Sequence, residues 1–170
     1  MKPVPIVPAE VDFGDPLAPA APRYGDVYHA RSGAFAQAAH VFLAGNGLPG
    51  RWQGREDFTI LETGFGLGNN FLATWAVWRA DPARSARLRF ASVEMHPLRR
   101  DDLARALAAS PEPALAAQLV AAWPPLTPDL HLLAFDEGRV ELLLLLGDAA
   151  TRLRELVARV DAIYLDGFAP

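Results

Sequence analysis

The sequence predicts an α/β fold on a doubly wound, mostly parallel sheet, and three observations lead there. Apolar runs of strand length alternate with stretches of helical period along residues 58–165, the pattern of strands joined by crossover helices. The first of these runs ends at Glu62 and passes straight into three alternating glycines, Gly64, Gly66 and Gly68. Further apolar runs also end on acids: Glu94, Asp166 after Leu165, and Asp148 after Gly147. Ligands of parallel sheets bind beyond the carboxyl ends of the strands, and folding needs no acids there. Together these acids outline a rim of carboxylates around one crevice.

Each element has its own signal. Residues 1–25 are rich in proline and read as an extended or loosely ordered arm. A small lobe follows to residue 57, with a helical stretch near 34–42 and a turn at Ala44, Gly45, Asn46 and Gly47. The chain thus divides into an arm and lobe over 1–57 and a ligand-binding half-sheet over 58–170. Residues 58–62 form the first core strand. A helix over 69–79 presents Leu67, Phe71, Trp75 and Trp78 on one face and stops at Asp81-Pro82. Residues 88–93 form the second strand. Pro97 opens a helix reaching about residue 109, with Asp101 and Asp102 in its early turns. Residues 114–123 are helical after Pro111 and Pro113. Runs 130–135 and 140–146 flank Asp136-Glu137-Gly138-Arg139, a hairpin signal. Residues 151–159 are a short amphipathic helix and 160–165 the fourth core strand.

Composition narrows the class of function. The chain has 170 residues, one domain's worth, with 51% hydrophobic and 21% charged residues, which is globular rather than disordered. The absence of cysteine removes disulfides, thiolate metal sites and thiol nucleophiles, and no metal site is expected. The N-terminus carries prolines and acids where a secretory signal needs an apolar run, and the longest aliphatic run, residues 142–146, is too short for a membrane span. The expected compartment is the cytoplasm. The net charge of −4 lacks the basic excess usual in nucleic-acid binders, although Arg99, Arg100 and Arg105, or Arg51 and Arg55, can form a local patch or simply a solvated surface.

The glycine bend carries the chemistry. Glycine lets the backbone turn tightly and approach a ligand, and the following helix start presents unpaired N–H groups. A dinucleotide fingerprint, G-x-G-x-x-G/A, would want a small residue at position 69, where Asn69 stands; the third glycine comes one residue early at Gly68. The acid at Glu62 is also foreign to that fingerprint. An acid followed by G-x-G-x-G resembles motif I of the class I S-adenosylmethionine-dependent methyltransferases. Glu94 can accept from both hydroxyls of a ribose, and Asp148 can accept from an adenine amino group or cap the helix after it. Asp166 ends the last strand. Tyr28 and Phe168 are candidate stacking faces for a base or, equally, core aromatics.

The strings ETGFGLGNNF (62–71), FASVEMHPL (90–98), FDEGRVELLLLLGDA (135–149) and YLDGFAP (164–170), with GDVYHA (25–30) and HVFLAGNGLP (40–49), resemble the methyltransferase domain of the bifunctional tRNA 5-methylaminomethyl-2-thiouridine biosynthesis proteins. The resemblance runs from about Val11 to the end. It implies a Rossmann-like sheet of strand order 3-2-1-4-5-7-6, of which only the first four strands are expected here. It also implies methylation of the 5-aminomethyl group of the wobble 2-thiouridine in tRNA, with S-adenosylmethionine as donor. FAD belongs to an oxidoreductase domain downstream that this sequence does not contain. On that resemblance Glu62, Gly64, Gly66, Gly68, Glu94, Met95 and Asp148 hold the donor, Asp166 is catalytic, and Tyr28 and Phe168 face the substrate. The expected fragment character predicts weak cofactor binding and little activity from these residues alone, and an exposed apolar edge at the fourth strand. A nicotinamide oxidoreductase is disfavoured by Gly68 and Asn69; an aminopropyltransferase and a non-catalytic nucleotide-binding module are the rival readings.

Overall fold

The computed structural model describes residues 4–15, 19–28 and 33–167. Two short strands, β1 (Ala20–Ala21) in the region expected to be an arm and β2 (Asp26–Val27) at the start of the lobe, pair antiparallel. Helix α1 (Ala34–Gln37) continues into a π-helical turn over Ala38–Leu43, then two 3-10 turns lead to β3 (Asp57–Thr63). After it come α2 (Asn69–Ala80), β4 (Arg87–Glu94), α3 (Arg100–Ala106), α4 (Pro113–Ala122), β5 (Leu130–Phe135), β6 (Val140–Leu146), α5 (Ala149–Glu155) and β7 (Ala162–Leu165).

These strands form one sheet in the order β5-β6-β4-β3-β7. The pairs β3/β4, β3/β7 and β4/β6 are parallel, and β5 lies antiparallel on β6 as the hairpin signal predicts. Counting β3 as first, its neighbours reproduce the 3-2-1-4 half of the order implied by the resemblance. Chain direction moves outward from β3 through β4 to β6, then crosses back to β7 on the other side. The order therefore reverses at β3, which puts the ligand crevice at its carboxyl end.

Alternation explains which residues enter the core. Phe58, Ile60, Phe90, Leu142 and Leu144 are at most 1% exposed and share one cluster with Phe42, Trp52, Phe71 and Trp75 from the lobe and α2. Phe71 is the hub of the aromatic packing, with ring centroids 5.3 Å from Phe90, 5.6 Å from Trp75 and 5.9 Å from Phe135. The other face is thinner: Ala91, Val93 and Leu145 pack against Leu153 and Leu156 at and just after α5. That coverage stops before β7. On this edge strand Tyr164 is fully buried while Ile163 is 52% and Leu165 75% exposed, the apolar edge expected of the fourth strand.

Three elements differ in their bounds from the sequence reading, each for a local reason. Helix α3 begins at Arg100 rather than Pro97, because the carbonyls of Pro97 and Leu98 accept from Ala9 N and Trp123 Nε1 and hold the chain extended. Helix α5 begins at Ala149, where the Asp148 carboxylate caps it, and ends at Glu155 rather than near residue 159; Val157 is then 99% exposed. Strand β7 starts at Ala162 because the Asp161 carboxylate is taken by Thr59 N and Arg55.

Truncating Phe90 removes the ring that meets both Phe71 and, at 5.7 Å, Tyr164. The expected cost for Phe90→Ala is about 3–5 kcal/mol, read from the shift in urea midpoint at unchanged m-value.

Candidate active site

The carboxyl ends of β3, β4, β6 and β7 surround a cavity of about 1020 Å³. Its floor comes from the strand ends and the glycine bend. Its outer wall comes from residues 7–10 and the β1–β2 hairpin, most of which sequence reasoning left as an arm. The wall is fastened at two points: Ala9 N donates to Pro97 O at 3.1 Å, and the His96 ring nitrogen Nδ1 lies 2.8 Å from Val7 O.

The glycine bend is stapled to the next strand. Gly64 N donates to Val93 O at 2.9 Å, and Gly66 N donates to Glu94 Oε2 at 3.0 Å. Gly64 has φ +87, and a Cβ there would collide with the Asp166 carbonyl oxygen, so glycine is required by the close passage of the 166–167 backbone. Gly66 has φ +54, and a Cβ there would press on the Tyr28 ring at 3.3 Å. Gly68 serves a different end. It caps α2 and faces the Phe65 ring and Leu119, and it does not line the cavity.

The acids divide in the same way. Glu94, Asp148 and Asp166 line the cavity, as do Met95, 51% exposed, and Tyr28. Glu94 Oε1 also accepts from His96 N at 2.7 Å, so each of its oxygens already holds one backbone N–H and keeps a lone pair for a ligand hydroxyl. Asp148 caps α5 through Oδ2, bonded to Thr151 N at 2.9 Å and to the Thr151 hydroxyl at 3.0 Å, while still lining the cavity. Both readings of Asp148 are therefore compatible with its position. Glu62 is not on the cavity wall. It is 0% exposed, and its oxygens accept from Ser92 Oγ at 2.7 Å and Asn70 Nδ2 at 2.9 Å. Phe168 lies outside the described residues.

Asn70 is the functional candidate that the sequence reading missed. Its Nδ2 donates to Glu62 and also, at 2.7 Å, to Asp166 Oδ2, so one amide joins two carboxylates from adjacent strand ends. A polar side chain one position before Phe71, on a helix face that otherwise packs inward, is the signal that could have found it. Ser92, a hydroxyl inside the buried run Phe90 to Val93, carries the same kind of signal.

Burial dominates the electrostatics. It pushes Glu62 up to about 8, against the opposing pull of its bonds from Ser92 and Asn70, with Asp166 and Glu94 pushing it further up. Burial also raises Asp166, and the Asn70 bond pulls it back down. Tyr28 is pushed to about 12 by burial and then by Glu94, which keeps its phenol neutral and able to donate. Among the described lining residues Glu10, Asp26, Glu94, Asp148 and Asp166 face a single guanidinium, Arg23. Such a wall favours a cationic ligand. No cluster of metal-ligating residues occurs among the described residues, and no helix among them is long and apolar enough to cross a membrane.

Comparison with known proteins bears on the family and the fold. Residues 110–170 match a family described as S-adenosyl-L-methionine-dependent methyltransferase. Over all 170 residues the chain is 61% identical to the tRNA 5-methylaminomethyl-2-thiouridine biosynthesis bifunctional protein MnmC of Methylibium petroleiphilum. It is 60% identical over 169 residues to the protein of that name from Burkholderia multivorans. The chain spans 26% of the length of each of these relatives. Among solved structures, MNMC2 from Aquifex aeolicus superposes with a TM-score of 0.67 at 24% identity, covering 90% of this chain and 46% of that one, a likeness of fold. Along its whole length the chain is similar to these relatives, and over residues 110–170 it matches the S-adenosyl-L-methionine-dependent methyltransferase model.

Proposed function

We propose that this chain carries the site at which the primary amine of 5-aminomethyl-2-thiouridine, at the wobble position of tRNA, receives a methyl group. The observation that carries the reading is that Glu94, Asp148, Asp166 and the Gly64–Gly66 bend, read separately from the sequence, line one acidic cavity at the switch point of the sheet. The relatives' names supply the product, 5-methylaminomethyl-2-thiouridine in tRNA, and the proposed substrate is that product less its methyl group. The FAD chemistry of the family belongs to its other domain.

The residues present suit the donor. S-adenosyl-L-methionine, when bound, supplies a methyl carbon on a positively charged sulfur. Glu94 keeps lone pairs for the two ribose hydroxyls, and Met95 beside it offers an exposed thioether side chain to the adenine face. Asp148 is in place for the adenine amino group, and the Gly66 bend leaves the backbone open under the Tyr28 ring. Glu62 and Gly68 act from behind, the first through Asn70 and the second by starting α2. The acidic lining suits both the sulfonium and a substrate amine that arrives protonated, given lysine's reference value near ~10.4.

Asp166 receives that amine. As a carboxylate it binds the ammonium form and aligns the nitrogen, and alignment with charge placement is most of what an in-line displacement asks of a protein. The nitrogen lone pair becomes available only after a proton leaves. Burial makes Asp166 a better acceptor than an exposed aspartate, so it takes that proton or passes it to water. Asp166 would then hold the deprotonated nitrogen toward the methyl carbon that bound S-adenosyl-L-methionine would supply.

Titration calorimetry on this chain should give binding heats for S-adenosylmethionine or its demethylated product and none for a nicotinamide dinucleotide; the opposite pattern would end the methyltransferase reading. Asp166→Asn, in a full-length family member with labelled donor and tRNA bearing the 5-aminomethyl group, should lower kcat by about 100-fold, the scale of a lost general base. Normal turnover would remove Asp166 from the reaction. Glu62 makes a separate prediction about stability. Its carboxyl ionises near 4.5 when free but near 8 when folded, so the folded state holds the extra proton between those values. Stability from this group is full below 4.5 and is lost as pH rises toward 8, on the order of 5 kcal/mol in all. Glu62→Gln should remove that decline, so variant and wild-type denaturation midpoints diverge between pH 5 and pH 8 in the variant's favour.

A further inference from the structure

We propose that Asn70 is a positioning residue for Asp166: its side-chain amide ties Asp166 to the buried Glu62 and so sets the open oxygen of Asp166 toward the substrate amine. The inference rests on the reading of Asp166 as the amine-binding group and extends it to a residue that need not touch the substrate.

The geometry is specific. An amide nitrogen carries two protons, and both of Asn70's are committed, one to Glu62 Oε1 at 2.9 Å and one to Asp166 Oδ2 at 2.7 Å. Two carboxylate acceptors fix the amide's orientation, since the flipped group would set its oxygen against both of them. Glu62 is in turn held by Ser92 on β4, so a chain Ser92–Glu62–Asn70–Asp166 crosses the ends of β4, β3 and β7 with α2 supplying the link. Asp166 follows the edge strand β7 and has β3 alone as a sheet neighbour among the described residues. Its backbone N–H bonds Thr63 O at 3.2 Å, and its side chain has no hydrogen-bond partner among the described residues other than Asn70. Without that donor the Asp166 side chain would keep no hydrogen bond among the described residues.

A residue that merely starts a helix would not need this. Asn70 is the second residue of α2, where an exposed polar side chain would serve as well, yet it is 9% exposed and aimed at both acids. The charged and titratable groups around the chain are Glu94 at the end of β4, and Tyr164 on β7, whose hydroxyl lies 3.2 Å from that of Thr74 on α2. None of these reaches Asp166 with a hydrogen bond.

The test follows the Asp166 and Glu62 carboxyl carbons and the Asn70 side-chain amide by isotope-edited NMR across a pH titration of the ligand-free chain. In wild type the Asn70 amide signals should move with both carboxyl titrations. In Asn70→Ala the Asp166 midpoint should rise, because the donor that lowers it is gone; in Glu62→Gln, where Asn70 keeps an acceptor, it should not rise. In the full-length enzyme Asn70→Ala should lower kcat by about 100-fold, the scale of a ~1 Å misplacement, with little change in KM for tRNA. A folded Asn70→Ala chain whose Asp166 midpoint equals wild type overturns the proposal. Should that variant not fold, wild-type Asn70 amide signals that ignore both titrations overturn it equally. An intact NMR linkage beside an active Asp166→Asn enzyme would overturn the amine-binding role of Asp166, and this positioning role with it, while leaving the donor-site reading to the calorimetry.

Discussion

A carboxylate with no solvent exposure stands at the end of the central strand, and much of the site is organised around keeping it there. Burying an unpaired charge is expensive, so Glu62 must either hold a proton or be surrounded by donors. This structure does some of each: Ser92 and Asn70 donate to it, and burial still raises it to about 8. The donors come from the neighbouring strand and from the helix that the glycine bend launches. Satisfying Glu62 therefore fixes the relative positions of β3, β4 and the first turn of α2. The second proton of Asn70 carries that constraint on to β7 and Asp166. A group with no access to the cavity thus governs the geometry of groups that have it.

The same economy appears in the glycines. Their spacing reads as a ligand cradle, and the local reasons prove to be three different ones. Gly64 gives way to the backbone of residues 166 and 167, Gly66 to the Tyr28 ring, and Gly68 to Phe65 and Leu119 within the core. Two of the three contacts are between cavity walls rather than with a ligand. Drawing the 166–167 backbone close to the bend and laying Tyr28 over it are what enclose the cavity. The motif works by bringing its own walls together.

The sheet was legible because period-2 and period-3.6 patterns and strand-end acids are local signals. The parallel core, the 130–146 hairpin and the convergence of Glu94, Asp148 and Asp166 all followed from residues adjacent in sequence. What escaped depended on partners far away in the chain. Asn70 reads as one of two asparagines at a helix start, and only the arrival of β7 after residue 161 reveals that it joins two acids. The arm was opaque for the same reason. Prolines in residues 1–25 argue against regular structure, but they say nothing of Ala9 N meeting Pro97 O, or of Val7 O meeting His96. Helix α3 was placed too early because Pro97 is a good first helical residue in isolation, whereas its carbonyl and that of Leu98 are spent on tertiary partners.

The two faces of the sheet are covered unequally, and this bears on the site. One face is sealed by the lobe, α2 and α4, so Tyr164 is fully buried. The other is covered by α5 as far as β4 and β6, leaving Ile163 and Leu165 exposed on β7. Strand β7 is held by its pairing with β3 on one side and by Tyr164 packing under it, whose ring lies 5.1 Å from that of Phe42. An edge strand paired to one neighbouring strand, with Asn46 Nδ2 donating to Ile163 O besides, has fewer constraints on its last residue than a central strand has. Asp166 is that next residue beyond β7. Its position is set by one backbone bond to Thr63 and one side-chain bond to Asn70. Asp166 therefore stands just beyond the end of an edge strand, and the amide of Asn70 holds its side chain from the helix side.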